Sequence, residues 1–207
     1  MKLIRLAPIL LAVLLSPALA DEYQDAVSKA FPGFQILGPS EIKLNKAEMN
    51  PKTYEQVKDH PGLVMGKINS DDITDFAALI RADKRKTYIH KDRDKIVAKF
   101  DYYDGYLVVC YGLGSGKYKC EKLNASPMYI REPHSDFVGK IPPARVFCSI
   151  LRKFRPPKPK PDPNLGEEAG ESSVQISFNT DAVSLSSDPI IYIYQPGGTY
   201  LECTMGG

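Results

Sequence analysis

The chain has 207 residues, with 27 basic and 25 acidic side chains, 12 Tyr, 8 Phe, no Trp and four Cys. Without the two basic residues of its first 20 positions it keeps 25 charges of each sign, so no net charge steers it to nucleic acid or to an anionic membrane. The remaining 187 residues suit one domain with a proper core, and Tyr and Phe without Trp favour a β-rich interior.

Met1 to Ala20 carries Lys2 and Arg5, an apolar segment from Leu6 to Leu15, and Ala18-Leu19-Ala20 ahead of Asp21-Glu22. That is the pattern of a secretory signal peptide cleaved after Ala20, which places the mature chain, 21–207, in the periplasm or outside the cell. The apolar part is shorter than the roughly 20 residues a spanning helix needs, and no later stretch approaches that length.

Asp21 to Ala30 sets Tyr23, Ala26, Val27 and Ala30 at helical spacing before Phe31-Pro32-Gly33, which predicts a short docking helix. Phe34 to Leu37 reads as a small strand. Asn50-Pro51 offers an N-cap with Pro at the first helical position, so a second short helix runs until His60-Pro61-Gly62. Leu63-Val64-Met65 is a strand leading into a polar turn, and Phe76 to Ile80 is apolar enough to be buried on both faces.

From Asp83 to Lys95 six basic and three acidic residues surround only Tyr88 and Ile89 as large apolar groups, the composition of a solvated hairpin tip. Lys95 to Tyr103, Tyr106 to Tyr111 and Lys117 to Leu123 predict an antiparallel β-meander, its first two strands joined by a hairpin turn at Asp104-Gly105. Val146 to Leu151 is a further strand. Residues 152–173 hold Pro at 156, 157, 159, 161 and 163, with basic residues first and acidic ones after, and predict a mobile loop. Val174 to Phe178, Ala182 to Leu185, Ile190 to Tyr194 and Thr199 to Cys203 return the chain to the sheet. The expectation is one α+β domain, a meander with two short N-terminal helices.

Cys110, Cys120, Cys148 and Cys203 are even in number in an exported chain, which reads as disulfides. A hairpin centred on Ser115 in Gly112-Leu113-Gly114-Ser115-Gly116 sets Cys110 opposite Cys120 and leaves Cys148 to pair with Cys203. Against a reduced metal site, the spacings contain no Cys-x-x-Cys.

No catalytic constellation emerges. His60, His90 and His134 lie in loop-like contexts without a ligand partner. Ser115 lies in a hairpin loop and not on a strand-to-helix elbow. Two carboxylate pairs, Asp71 with Asp75 and Asp101 with Asp104, are the remaining acid/base candidates, and such chemistry needs two environments that split the pKa values.

Asn69, Asp71 and Asp75 recur in Gly66-Lys67-Ile68-Asn69-Ser70-Asp71-Asp72-Ile73-Thr74-Asp75-Phe76-Ala77 at the spacing with which short loops aim oxygens at calcium. This stretch resembles the Asp-x-Asn-x-Asp-Gly-x-x-Asp-Phe-Ala loop of FG-GAP and integrin-like calcium repeats. The resemblance makes Asn69, Asp71 and Asp75 the candidate metal ligands and calcium the one cofactor the loop offers. Lys67 departs from the pattern at the first ligand and Asp72 at the glycine, so Lys67 can act as an internal counter-ion. With Phe31-Pro32-Gly33-Phe34, His60-Pro61-Gly62-Leu63-Val64 and the closing Ile190-to-Cys203 hairpin, the chain also resembles a group of small exported bacterial proteins of uncharacterised function, which implies a compact α+β fold and no known activity.

Together these readings point to an exported, non-catalytic binding protein with a protein partner in the cell envelope. An inhibitor or immunity-type protein against a toxin or lytic enzyme is the alternative, and a carboxylate-dependent hydrolase is the alternative of a different class.

Overall fold

The computed structural model describes residues 16–93, 95–124, 126–154, 169–186, 190–195 and 198–205. In chain order it has α1 (Ser16–Ala30), β1 (Phe34–Ile36), α2 (Pro51–Val57), β2 (Leu63–Gly66), β3 (Asp75–Asp92), β4 (Lys95–Gly112), β5 (Tyr118–Lys122), β6 (Met128–Ile130), β7 (Val138–Ile141), β8 (Ala144–Phe154), β9 (Ala169–Phe178), β10 (Ala182–Leu185), β11 (Ile190–Gln195) and β12 (Thr199–Met205). The expected α+β class is therefore corrected to a largely all-β one, with antiparallel sheets and two short helices among the described residues. No described helix is long and apolar enough to cross a membrane.

One sheet runs β1-β3-β4-β5, with β2 beside β3 and β6 beside β4; the other runs β7-β10-β11-β12-β8-β9. Period-two alternation divides the core. Ala77 and Leu79 on β3, with Leu107 and Val109 on β4, face the second sheet and meet Val183, Leu185 and Tyr200. Phe76, Ala78 and Ile80, with Val108 and Cys110, face the other way onto Tyr23 and Val27 of α1. Phe76 to Ile80 is thus buried on both faces, as its unbroken apolar run predicts. A third cluster draws Cys148, Phe178, Ala182, Ile191, Ile193 and Cys203 from β8 to β12 onto the opposite face of the second sheet.

The local signals at the helices hold. Asn50 Oδ1 accepts from Lys52 N at 2.9 Å as the N-cap of α2, with Pro51 at the first helical position. The α1 helix stops at Phe31-Pro32-Gly33, where Gly33 takes a φ of 79°. Both disulfides form as expected, Cys110 with Cys120 and Cys148 with Cys203. Gly114, Ser115 and Gly116 all adopt positive φ and close the β4–β5 hairpin, so Cys110 and Cys120 are direct register partners.

The meander is the second correction. Asp104-Gly105 is not a turn: it lies inside one 18-residue strand, β4, and Gly105 opposes Arg81 of β3. A Cβ at Gly105 would overlap Ile130 Cγ1 and lie 3.0 Å from the Ile80 carbonyl oxygen. Glycine is there for the close approach of β6 and not for a reversal. The true reversal falls between Asp92 and Lys95, and β3 bulges between Arg81 and Arg85.

The third correction concerns the Pro-rich segment. Its flanks are strand: Arg152 pairs with Ala169, Leu151 with Gly170 and Ile150 with Glu171 in a β8–β9 hairpin. The remainder of the expected loop, residues 155–168, lies outside the described residues.

Candidate functional site

The acidic turn between β2 and β3 is organised by Asp75. Its carboxylate is fully buried; Oδ2 accepts from Ile68 N at 3.0 Å and Asn69 N at 2.9 Å, and Oδ1 accepts from Gly112 N at 3.0 Å. Burial pushes the carboxyl above its ordinary range, while the three backbone donors pull it back. Asp71 Oδ1 accepts from Ile73 N at 2.9 Å, its Oδ2 from Asn69 Nδ2 at 2.8 Å, and Asn69 Oδ1 accepts from Asp71 N at 2.9 Å. Lys67 Nζ pairs with Asp72 Oδ1 at 2.8 Å on the surface.

Asn69, Asp71 and Asp75 are therefore brought into one turn, but their oxygens are spent on one another and on backbone N–H groups. Among the described residues no group of three or more His, Cys, Asp or Glu side chains is placed to hold a metal ion. The turn is also a clamp between sheets. Asp181, ahead of β10, accepts from Lys67 N at 2.9 Å and lies 3.5 Å from Lys140 Nζ, and its own N–H donates to the Lys67 carbonyl at 2.8 Å. Sequence reasoning missed Asp181 because it lies 114 residues from Lys67 and carries no local signal.

The second carboxylate pair does not form a dyad. Asp101 and Asp104 are three apart on one strand, which turns them to opposite faces. Asp101 accepts from Thr87 Oγ1 at 2.6 Å and pairs with Arg85 Nη2 at 2.5 Å, and Asp104 pairs with Lys86. Of the histidines, His90 is on a strand and not in a loop, and its ring stacks on Tyr88. His134 Nε2 sits 3.2 Å from Asp136, off the line of a hydrogen bond, and its backbone joins Glu41 and Lys43.

The most unusual surface is the distal part of the β3–β4 ribbon, Lys86–Asp92 paired with Lys95–Tyr102, which no third strand flanks among the described residues. The register places Tyr88 opposite Phe100, with Tyr102 on the same face, and Tyr129 of β6 packs against Tyr102 at 4.7 Å. Arg131 lies 3.8 Å above the Phe100 ring. On the opposite face Ile89 lies beside Lys99 and Ile96 beside Lys91. Ile96 and Val97 are 57% and 56% exposed, Ile89 is 48% exposed and Tyr129 58%.

A solvated tip was the expectation for Asp83 to Lys95, and Tyr88 and Ile89 are indeed outside the core. The only alternating sequence signal for the arm is Lys99-Phe100-Asp101-Tyr102, and the turn expected at Gly105 hid that this strand runs on past it.

A groove of about 550 Å³ lies between α2, β2 and the β7 edge of the second sheet, lined by Val57, Leu63, Met65, Phe137, Ile141 and Leu185 among others. No family model, curated protein or solved structure matches the chain.

Proposed function

We propose that the chain is an exported binding protein that works without a catalytic centre and meets its partner in the cell envelope through the β3–β4 arm. The observation that carries this is the large apolar side chains left exposed on the two faces of a basic ribbon, Tyr88 on one and Ile89, Ile96 and Val97 toward its tip, with Tyr129 of β6 beside Tyr88. Monomeric proteins seldom leave such groups together in water without use. The leader-like pattern of residues 1–20, ending in Ala18-Leu19-Ala20, supports export, and two disulfides are compatible with an extracytoplasmic protein. With the leader removed, α1 begins at Asp21-Glu22, two carboxylates suited to a helix N-terminus.

A second reading, an inhibitor or immunity-type protein, is favoured by the apolar groove, which an extended segment of a toxin or lytic enzyme would fill beside two sheet edges. Site-specific photo-crosslinkers at Tyr129 and at Met65 separate the two. Crosslinks from Tyr129 in whole envelopes support the arm, crosslinks from Met65 alone transfer the function to the groove, and none from either position overturns both readings.

A further inference from the structure

We infer that the tip of the β3–β4 arm is a docking surface for an anionic phospholipid bilayer, an assignment that rests on the arm being the partner-facing surface. Two properties converge at this tip. Ile89, Ile96 and Val97 are about half exposed and, in the described residues, belong to none of the three core clusters. They lie at the far end of a two-stranded ribbon, where a flat surface reaches them before it reaches the body of the molecule.

The charge around them is complementary to an anionic surface. From Arg85 to Lys99 the sequence has six basic residues against two acidic ones, in a chain that is neutral once its leader is removed. Arg85 and Lys86 are paired with Asp101 and Asp104 at the base of the arm. Among the described residues Lys91, Arg93 and Lys95 form no ion pair, and the register puts Lys91 beside Ile96 and Lys99 beside Ile89. Apolar side chains ringed by cations fit the boundary between acyl chains and anionic headgroups. Tyr88, Tyr102 and Tyr129, further up the ribbon, suit the headgroup level, since each ring has an apolar body and a polar tip. An acidic protein would satisfy the cations but would not require three aliphatic side chains at the extremity.

The test is flotation of the oxidised exported chain with vesicles of phosphatidylcholine alone and of phosphatidylcholine mixed with phosphatidylglycerol. The expected result is binding to the mixed vesicles only, weakened by salt. Ile96→Ser with Val97→Ser, and separately Lys91→Glu with Lys95→Glu, each lower the partition about tenfold or more, while Lys43→Glu with Lys52→Glu on the body leaves it unchanged. All variants keep the wild-type melting transition, since every substituted side chain is exposed. Equal binding to both vesicle types, binding insensitive to the arm variants, or no vesicle binding overturns the lipid assignment. If vesicle binding is absent while Tyr129 still crosslinks to an envelope protein, the binding reading stands without the lipid; if both are absent, both fall.

Discussion

Asp75 Oδ1 accepts a hydrogen bond from Gly112 N at 3.0 Å, tying the first residue of β3 to the last residue of β4. Because Asp75 also holds Ile68 N and Asn69 N, one buried carboxylate satisfies three backbone donors, two in the turn and one at the end of β4. Each buried donor left without a partner costs about 1–3 kcal/mol. Asp75→Ala is therefore expected to lower stability by about 3 kcal/mol or more, and Asp75→Asn, which keeps one acceptor oxygen, by less. Urea unfolding curves check the order, and an Asp75→Ala variant as stable as wild type would show that water replaces the carboxylate without loss.

The same arrangement bears on calcium. With Asp75 committed to the backbone and Lys67 paired with Asp72, calcium is expected to leave the melting temperature unmoved. A ligand at 100 times its dissociation constant would stabilise by about 2.7 kcal/mol, a shift of several degrees. Calcium stabilisation that disappears in Asp71→Ala would mean that the turn rearranges into a working loop.

Gly105 divides what the sequence made legible from what it did not. Exchanging a mid-strand glycine for alanine usually gains stability. Here the added methyl would meet Ile130, which is fully buried, and the Ile80 carbonyl. Gly105→Ala is expected to cost about 1–3 kcal/mol as overpacking, with part recovered by Ile130→Ala in the same chain. A Gly105→Ala that melts higher than wild type would show that β6 gives way to the methyl without loss.

Caps, disulfide pairs and the apolar run from Phe76 to Ile80 were legible because each is decided by neighbours in sequence or by counting. The role of Gly105 was not, because Asp-Gly is a turn signal unless a third strand packs upon it, and β6 lies some 25 residues further on. The clamp from Asp181 to Lys67 and the packing of one sheet on the other are long-range in the same way. The arm was legible as solvated, while its length required knowing that β3 and β4 continue as one ribbon through the bulge at Arg81.

Arg81, at that bulge, is 11% exposed and lies between Glu41 at 3.7 Å and Glu132 at 3.2 Å, with its guanidinium 4.2 Å above the Tyr103 ring. Burial opposes the ionised form of Glu41, but bonds from Ser40 Oγ and Gly38 N and the charge of Arg81 outweigh it and hold its carboxyl below the usual 4.5. A depressed carboxylate contributes stability that is present above its unfolded value and lost as pH falls through the folded one. Below about pH 4.5 the wild type is therefore expected to lose stability more steeply than Glu41→Gln. Parallel acid profiles for the two proteins would remove Glu41 from the account.

The hydroxyls of Tyr111 on β4 and Tyr200 on β12 are hydrogen-bonded to one another between the sheets, and Tyr194 packs edge-on against both rings. Burial raises the pKa of both phenols, since a phenolate there would lose its water. For a group whose folded value is raised, the stabilisation is complete below the unfolded value and is lost as pH rises toward the folded one. In the unfolded chain tyrosine ionises near pH 10, so stability is expected to fall above about that pH as the unfolded state releases protons that the folded state keeps. Tyr200→Phe has two expected effects. At neutral pH it costs on the order of 1 kcal/mol, the worth of one hydrogen bond, and above about pH 10 its stability declines less steeply than that of the wild type. Tyr111→Phe should act in the same direction, and the double variant should cost less than the sum of the two at neutral pH because both substitutions remove one shared bond. Strict additivity, or an alkaline decline of equal slope in all four proteins, would show that the two sheets are held together without help from this pair.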